Sequence, residues 1–87
     1  MASSELISGN VMNKIKEAAD TNTILLITYA DASNQPSIRT VEPYEIKGDT
    51  LFAYCRVKEG IRAFKLNRIQ SAELHLGQYE PRFPVLI

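Results

Sequence analysis

The stretch TLFAYCRVKEGIRAFKL, residues 50–66, predicts two short strands joined by a tight turn. Aromatic and apolar residues on either side of the glycine-containing turn KEG are typical of a β-hairpin. With a period of two, Arg62 and Phe64 share one face of the second strand. In the first strand, Tyr54 and Arg56 share one face by the same rule. If KEG is the turn, Arg56 and Arg62 are expected to lie close together.

The flanking sequence repeats this pattern of short apolar runs interrupted by turn residues. Further strands are predicted at residues 23–30, 37–46 and 70–76. Pro43 falls inside the second of these strands, and a proline there predicts an edge, a bend or a bulge. The connections are too short for crossover helices, so we expect five antiparallel strands. Such strands remove their exposed edges by curling into a small barrel.

One short helix is predicted before the first strand, at about residues 10–20. Its apolar positions follow helical spacing and form one narrow stripe: Val11, Ile15, Ala18 and Ala19. Ser8 or Asn10 is a candidate N-cap. The narrow stripe indicates a helix that lies across the end of a larger element.

The length of 87 residues predicts a single domain, residues 1–87, with the barrel at about residues 23–76 and a tail at 77–87. Ten basic and ten acidic residues leave no whole-molecule attraction to DNA or anionic lipid. The charge is uneven, with two lysines against four acids in residues 1–34 and eight cations against six acids in the remainder. Any electrostatic attraction is therefore expected to be local.

The chain offers little for catalysis or metal binding. A single cysteine, Cys55, excludes an internal disulfide and a thiolate zinc site, and His75 is the single histidine. No flanking residues indicate an activated thiol, so we expect no catalytic residue, no cofactor and no metal. The start MASSELISGN is not typical of a signal peptide, and the longest apolar run, ILLI, is too short to span a bilayer. These features predict a cytoplasmic protein without a membrane partner.

The arginines and tyrosines of the strands suggest a binding groove. Tyr29 and Arg39 come from the first two predicted strands and are candidates for the same groove as Arg62. Guanidinium groups beside tyrosine rings suit phosphate groups and bases that stack on aromatic faces. The alternative is that these are ordinary surface arginines paired with acids such as Glu42, Glu45 or Glu73.

Four segments in register resemble the WYL domain family. They are YAD (29–31), RTVEPYEI (39–46), LFAYC (51–55) and RAFKLNRI (62–69), and they fall in the family's order with matching spacing. The match covers residues 27–69, about half of the chain. It departs from the family where Trp-Tyr-Leu is replaced by Asp-Thr-Leu, residues 49–51.

The resemblance implies an Sm-like (SH3-like) five-stranded barrel preceded by a helix, in a family of ligand-sensing modules that are common in bacterial transcription regulators. The family's ligand-binding positions carry over to five residues of this chain: Tyr29, Arg39, Tyr54, Arg62 and Arg68. The function predicted on this basis is a regulatory module that accepts an anionic ligand, either single-stranded nucleic acid or a nucleotide.

Two alternatives remain open on the sequence alone. Arg68 could instead hydrogen-bond carbonyl groups or pair with an acid such as Asp31. The apolar end FPVLI, residues 83–87, could seal a homo-oligomer, which would make the chain a protein-interaction module without a ligand of its own.

Overall fold

The computed structural model describes residues 9–87, without the side chain of Leu76. In chain order the elements are helix α1 (Gly9–Thr21), strands β1 (Thr23–Ala30), β2 (Pro36–Lys47), β3 (Thr50–Cys55) and β4 (Gly60–Lys65), a 3-10 turn (Leu66–Arg68), and strand β5 (Ile69–Gln78). The predicted helix and all five predicted strands are present. The candidate cap Ser8 lies outside the described residues.

Helix α1 buries one face against the sheet. The buried residues are the four of the predicted stripe: Val11, Ile15, Ala18 and Ala19. Three of them, Val11, Ile15 and Ala18, join the main core with residues of the strands. Burial of an apolar stripe is what stabilises a helix this short, since helical propensity alone does not. Within the described part of the chain, no helix has the length and apolar character needed to cross a membrane.

The five strands form one antiparallel sheet in the order β4-β3-β2-β1-β5. The edge strands β4 and β5 follow each other in the chain and are joined by the three residues Leu66–Arg68. A 3-10 turn advances about 2.0 Å per residue. A connection of three residues therefore brings the two edges of the sheet close together. The sheet is therefore bent into a barrel-like form, and the predicted fold class, mainly β with one preceding helix, is confirmed.

The two faces of the sheet have different roles. The face that we call the inner face carries the buried residues Leu25, Ile27, Val41, Leu51, Ala53 and Phe64. The face that we call the outer face carries Glu42, Tyr44 and Tyr54. Since side chains alternate between faces along a strand, one residue of register decides which face each side chain occupies.

Pro43 lies at an irregularity in β2, as predicted. The register shifts between Pro43, which pairs with Ala53, and Glu45, which pairs with Phe52. Tyr44 is the additional residue on the β2 side, and bulges of this kind bend a strand and redirect a side chain. The Tyr44 hydroxyl donates a 2.8 Å hydrogen bond to Glu42 Oε1 on the outer face.

The C-terminal strap, residues 79–87, lies across the outer face. The Tyr79 hydroxyl donates to the carbonyl of Pro43 at 3.1 Å, and the Leu86 N–H donates to the carbonyl of Tyr44 at 2.7 Å. The ring of Phe83 meets that of Tyr44 edge to face, with centroids 5.4 Å apart. Tyr44 and Tyr79 are buried packing residues.

Candidate ligand-binding surface

Three polar side chains lie side by side on the inner face at the end of β1 and the start of β2. Tyr29 pairs with Ser37, and the preceding inner-face residue of β1, Ile27, pairs with Arg39. Partners in an antiparallel register share a face, so Tyr29, Ser37 and Arg39 continue the face that carries the core residues Leu25 and Ile27.

Tyr29 connects this group to β4. Its ring meets Phe64 edge to face, with centroids 5.1 Å apart, and its hydroxyl oxygen accepts the Lys65 N–H at 3.0 Å. Arg62 precedes Phe64 by two residues and pairs with Ala53, so it shares the inner face. We call Tyr29, Ser37, Arg39 and Arg62 the inner-face surface. Arg62 is exposed and the other three residues are half-buried, and residues 9–87 enclose no pocket.

The two arginines of the inner-face surface have no carboxylate partner among the described residues. Arg39 Nε donates to Ser37 Oγ at 3.2 Å, while the side chain of Arg62 is exposed and makes neither a hydrogen bond nor an ion pair within residues 9–87. Sequence reasoning did not single out Ser37. Its position two residues before Arg39 in the same strand is the signal that could have identified it.

The positive charge of Arg39 favours the ionised form of Asp31, but the Asp31 carboxylate is used mainly by the β1–β2 turn. Its Oδ1 accepts the N–H of Gln35 at 2.9 Å and both the N–H and the hydroxyl of Ser33. The hydrogen bonds from Gln35 and Ser33 lower the pKa of Asp31, with a smaller contribution from the charge of Arg39. The Asp31 carboxylate therefore accepts hydrogen bonds from donors of the turn and none from Arg39, so Arg39 is available to another anion.

Other cations of the second half of the chain do have acidic partners. Arg56 and Arg82 bind Glu42, and the exposed Lys65 lies 3.5 Å from Asp49. The expectation of ordinary paired arginines thus holds for Arg56. It does not hold for Arg39 and Arg62, for which the described residues provide no acid.

Arg68 is held by backbone carbonyls. One terminal nitrogen, NH1, donates to the carbonyl oxygens of Ala30 at 3.2 Å and Asp31 at 2.8 Å. This guanidinium joins the 3-10 turn to the end of β1. Of the two interpretations of Arg68 left open by the sequence, the carbonyl-bonded one describes its contacts.

Tyr54 and Arg56 lie on the opposite face from Arg62, and the expected proximity of Arg56 and Arg62 is wrong. The hairpin turn comprises residues 56–59, and Cys55 pairs with Gly60, so Arg62 faces Ala53. The three-residue turn KEG would have paired Arg56 with Arg62, but the observed register differs by an odd number of residues and reverses the faces. Tyr54 packs under the Arg82 guanidinium instead.

The positions at which the chain departs from the family's Trp-Tyr form a polar hairpin end. Thr50 Oγ1 donates to Asp49 Oδ1 at 3.1 Å, and Thr50 pairs with Lys65. The hydrogen bond from Thr50 and then the charge of Lys65 lower the pKa of Asp49. Two aromatic rings are thereby replaced by small polar groups beside β4.

The single cysteine and the single histidine, the remaining residues considered for catalysis, differ in their exposure to solvent. Cys55 is completely buried in the core, whereas His75 is exposed on β5. Among the described residues, no group of histidine, cysteine and acidic side chains has an arrangement that could hold a metal ion. The absence of catalytic activity stays a prediction.

Comparison with known proteins identifies relatives of this arrangement. The family model of the WYL domain matches residues 10–74. The uncharacterized HTH-type transcriptional regulator YobV of Bacillus subtilis (strain 168) is 39% identical over 67 residues, which cover 71% of this chain and 21% of YobV. The solved structure of proteasome accessory factor B/C (PafBC) of Arthrobacter aurescens superposes with a TM-score of 0.78 at 18% identity.

These relatives are much longer than this chain. The PafBC match covers 85% of this chain and 13% of PafBC, and at this identity it supports the fold alone. The chain spans about one fifth of the length of YobV.

Proposed function

This chain belongs to the WYL domain family, and we propose that it is a regulatory domain whose inner-face surface binds an anionic ligand. The ligand class that fits best is single-stranded nucleic acid or a nucleotide. The name of YobV, an HTH-type transcriptional regulator, supports a regulatory setting for a related domain. The domain acts by binding, in the cytoplasm, without a catalytic step of its own.

The observation that carries the proposal is the lack of acidic partners for Arg39 and Arg62 on one face. A guanidinium group without a carboxylate partner is available to an external anion as its counterion. Each guanidinium presents a planar set of donors that suits phosphate oxygens. By contrast, Arg56 and Arg82 share one carboxylate, that of Glu42.

Tyr29 contributes a hydroxyl group beside the two arginines. Its oxygen accepts the Lys65 N–H, so its own O–H remains available as a donor. The contact with Phe64 fixes the ring in place. In this proposal Arg39 and Arg62 contact phosphate and Tyr29 donates a hydrogen bond. Arg68 shapes the neighbouring turn, and Tyr54 serves the outer face.

The proposal is tested by the binding of a fluorescently labelled ten-nucleotide thymidylate strand, measured by anisotropy. The double variant Arg39→Ala/Arg62→Ala is compared with Lys14→Ala/Lys16→Ala, which removes the same charge from α1. We expect the arginine variant to lose at least about 100-fold in affinity, as the loss of two charge-assisted contacts implies. The lysine variant should bind within about threefold of the unchanged chain. Equal losses in both variants would reject the inner-face surface as the site.

A nucleotide ligand is distinguished from a strand by competition. If ATP displaces the labelled strand from the unchanged chain, the surface accepts a single nucleotide. If only unlabelled strand displaces it, the surface requires several linked phosphates. A failure of both the strand and ATP to bind would contradict the proposed function.

A further inference from the structure

The outer face contains a buried carboxylate whose hydrogen-bonding capacity is completely used. The side chain of Glu42 is 1% exposed. Its Oε1 accepts the Tyr44 hydroxyl at 2.8 Å and Arg82 Nε at 3.0 Å. Its Oε2 accepts Arg56 NH1 at 2.7 Å and Arg82 NH2 at 3.3 Å. A carboxylate has about four lone-pair positions, and Arg82 fills two of them.

Arg82 is contacted in three ways by Glu42 and the two tyrosines beside it. The carboxylate receives the two-nitrogen fork, the ring of Tyr54 lies 3.9 Å from the guanidinium carbon, and the Tyr44 hydroxyl accepts the Arg82 N–H at 2.8 Å. The charge of the guanidinium, its flat face and the backbone N–H of Arg82 are thus each contacted by the outer face. We call Glu42, Tyr44 and Tyr54 the arginine slot. Lysine cannot form both the fork and the stack, so it is not equivalent to arginine at a site of this kind.

The strap that delivers Arg82 resembles a docked peptide more than a part of the sheet. Residues 79–87 form no strand. Tyr79 and Val85 pack in an apolar cluster with Tyr44, and the strap is otherwise held by hydrogen bonds, ring contacts and the Arg82–Glu42 ion pair. Phe83 and Leu86 are 48% and 64% exposed. Residues 80–84, between the packed residues Tyr79 and Val85, are all exposed, and segments with few buried apolar contacts open at lower free energy than the sheet beneath them.

We propose that the arginine slot is a docking site for an extended peptide of a partner protein that carries an arginine followed by an aromatic residue. In this chain the strap occupies the slot with Arg82 and Phe83, and it thereby competes with such a partner. The choice of peptide rests on charge complementarity, because an empty slot leaves a buried carboxylate with unfilled acceptor positions. The site is on the face opposite the inner-face surface and does not depend on the ligand proposed there.

The test uses the full chain with Arg82→Ala, which keeps the strap but empties the slot. The probe is a labelled synthetic peptide with the sequence of residues 80–87, EPRFPVLI, and the control peptide has citrulline in place of arginine. Citrulline keeps the shape of the side chain and removes its charge. We expect the variant to bind the arginine peptide at least about tenfold more tightly than the citrulline peptide, which is the effect of a charge-assisted hydrogen bond.

Two further measurements complete the test. The unchanged chain should bind the arginine peptide at least about tenfold more weakly than Arg82→Ala does, because the tethered strap competes at an effective concentration in the millimolar range. The double variant Glu42→Gln/Arg82→Ala should no longer discriminate between the two peptides. If the slot does not distinguish arginine from citrulline, or if the unchanged chain binds as tightly as the variant, the proposal is overturned.

The folding of the variant is checked by circular dichroism. If Arg82→Ala does not fold, Arg82→Lys replaces it, since lysine keeps a charge but cannot form the fork or the stack. If neither variant folds, Arg82 is a structural residue that cannot leave the slot, and the proposal is overturned on that ground.

Discussion

The ring of Tyr29 meets the ring of Phe64 edge to face at 5.1 Å, although their strands, β1 and β4, are not neighbours in the sheet. The contact therefore crosses the inner face and shows how closely the sheet is bent. The pairing of β4 with β3 decides the face on which each arginine of this hairpin lies. Arg62, two residues before Phe64, is brought to the face that carries Arg39, while Arg56 is directed to Glu42 on the other side.

Arg62 and Arg68 are expected to respond to alanine substitution in opposite ways. Arg68→Ala removes hydrogen bonds to the carbonyls of Ala30 and Asp31, and should lower the free energy of unfolding by about 2 kcal/mol, the scale for bonds from a charged donor. Arg62→Ala should change that free energy by less than about 0.5 kcal/mol, as is usual for an exposed side chain. Urea denaturation measures both values.

The same two variants are expected to differ in the opposite order in their affinity for the thymidylate strand. Arg62→Ala should weaken binding of the thymidylate strand about tenfold, whereas Arg68→Ala should change it by no more than about twofold. A large loss of affinity in folded Arg68→Ala would return Arg68 to the set of ligand-contacting residues.

Glu42 is expected to be the acid on which stability depends most. Glu42→Gln keeps the shape of the side chain but replaces charge-assisted bonds from Arg56 and Arg82, and should lower the free energy of unfolding by about 2 kcal/mol. The matched control is Glu45→Gln, since Glu45 lies 3.9 Å from an exposed Lys47 and such pairs contribute at most about 1 kcal/mol. Equal effects of the two substitutions on the urea midpoint would contradict the central role of Glu42.

Tyr44 makes stability sensitive to alkaline pH. Burial, with the hydrogen bond to the Glu42 carboxylate, raises the pKa of Tyr44 from 10.0 to about 12, against an opposing effect of the Arg82 N–H. The unfolded chain then loses this proton near pH 10 and the folded chain only near pH 12. The contribution of this pKa shift to the free energy of unfolding is complete below pH 10 and is lost as the pH rises from 10 to about 12.

The measurement for Tyr44 is the midpoint of urea unfolding as a function of pH. Between pH 10 and 12 the midpoint of the unchanged chain should fall more steeply than that of Tyr44→Phe, which has no proton to lose at this position. The pKa of Tyr79 is also raised, mainly through burial, and Tyr79 is present in both proteins, so the comparison isolates the loss of the Tyr44 hydroxyl. Parallel pH curves for the two proteins would show that Tyr44 ionises normally in the folded state.

Much of the fold follows from local pattern. The predicted strand at residues 23–30 coincides with β1, and the helical stripe from Val11 to Ala19 is the buried one. Pro43 marks the irregularity in β2 because proline cannot donate to the ladder. Each of these features depends on neighbouring residues alone, which is why the sequence suffices for them.

The features that the sequence did not reveal depend on register or on distant contacts. The face of Tyr54 depended on the length of the hairpin turn, and an odd shift in pairing reversed it. Glu42 meets Arg82 across 40 residues, and no local pattern indicates that pairing. Arg39 and Arg62 could be named from family resemblance, but their lack of acidic partners is visible only once the fold places Glu42 and Asp49 beside other cations.

The salt dependence of binding shows whether Arg39 and Arg62 bind phosphate groups. The logarithm of the affinity for the thymidylate strand should fall linearly with the logarithm of salt concentration, with a slope of about −0.7 for each phosphate contact on a single strand. Two contacts predict a slope of about −1.4 for the unchanged chain, and a slope near zero for Arg39→Ala/Arg62→Ala. A slope near zero in the unchanged chain, or the same slope in both proteins, would contradict the account.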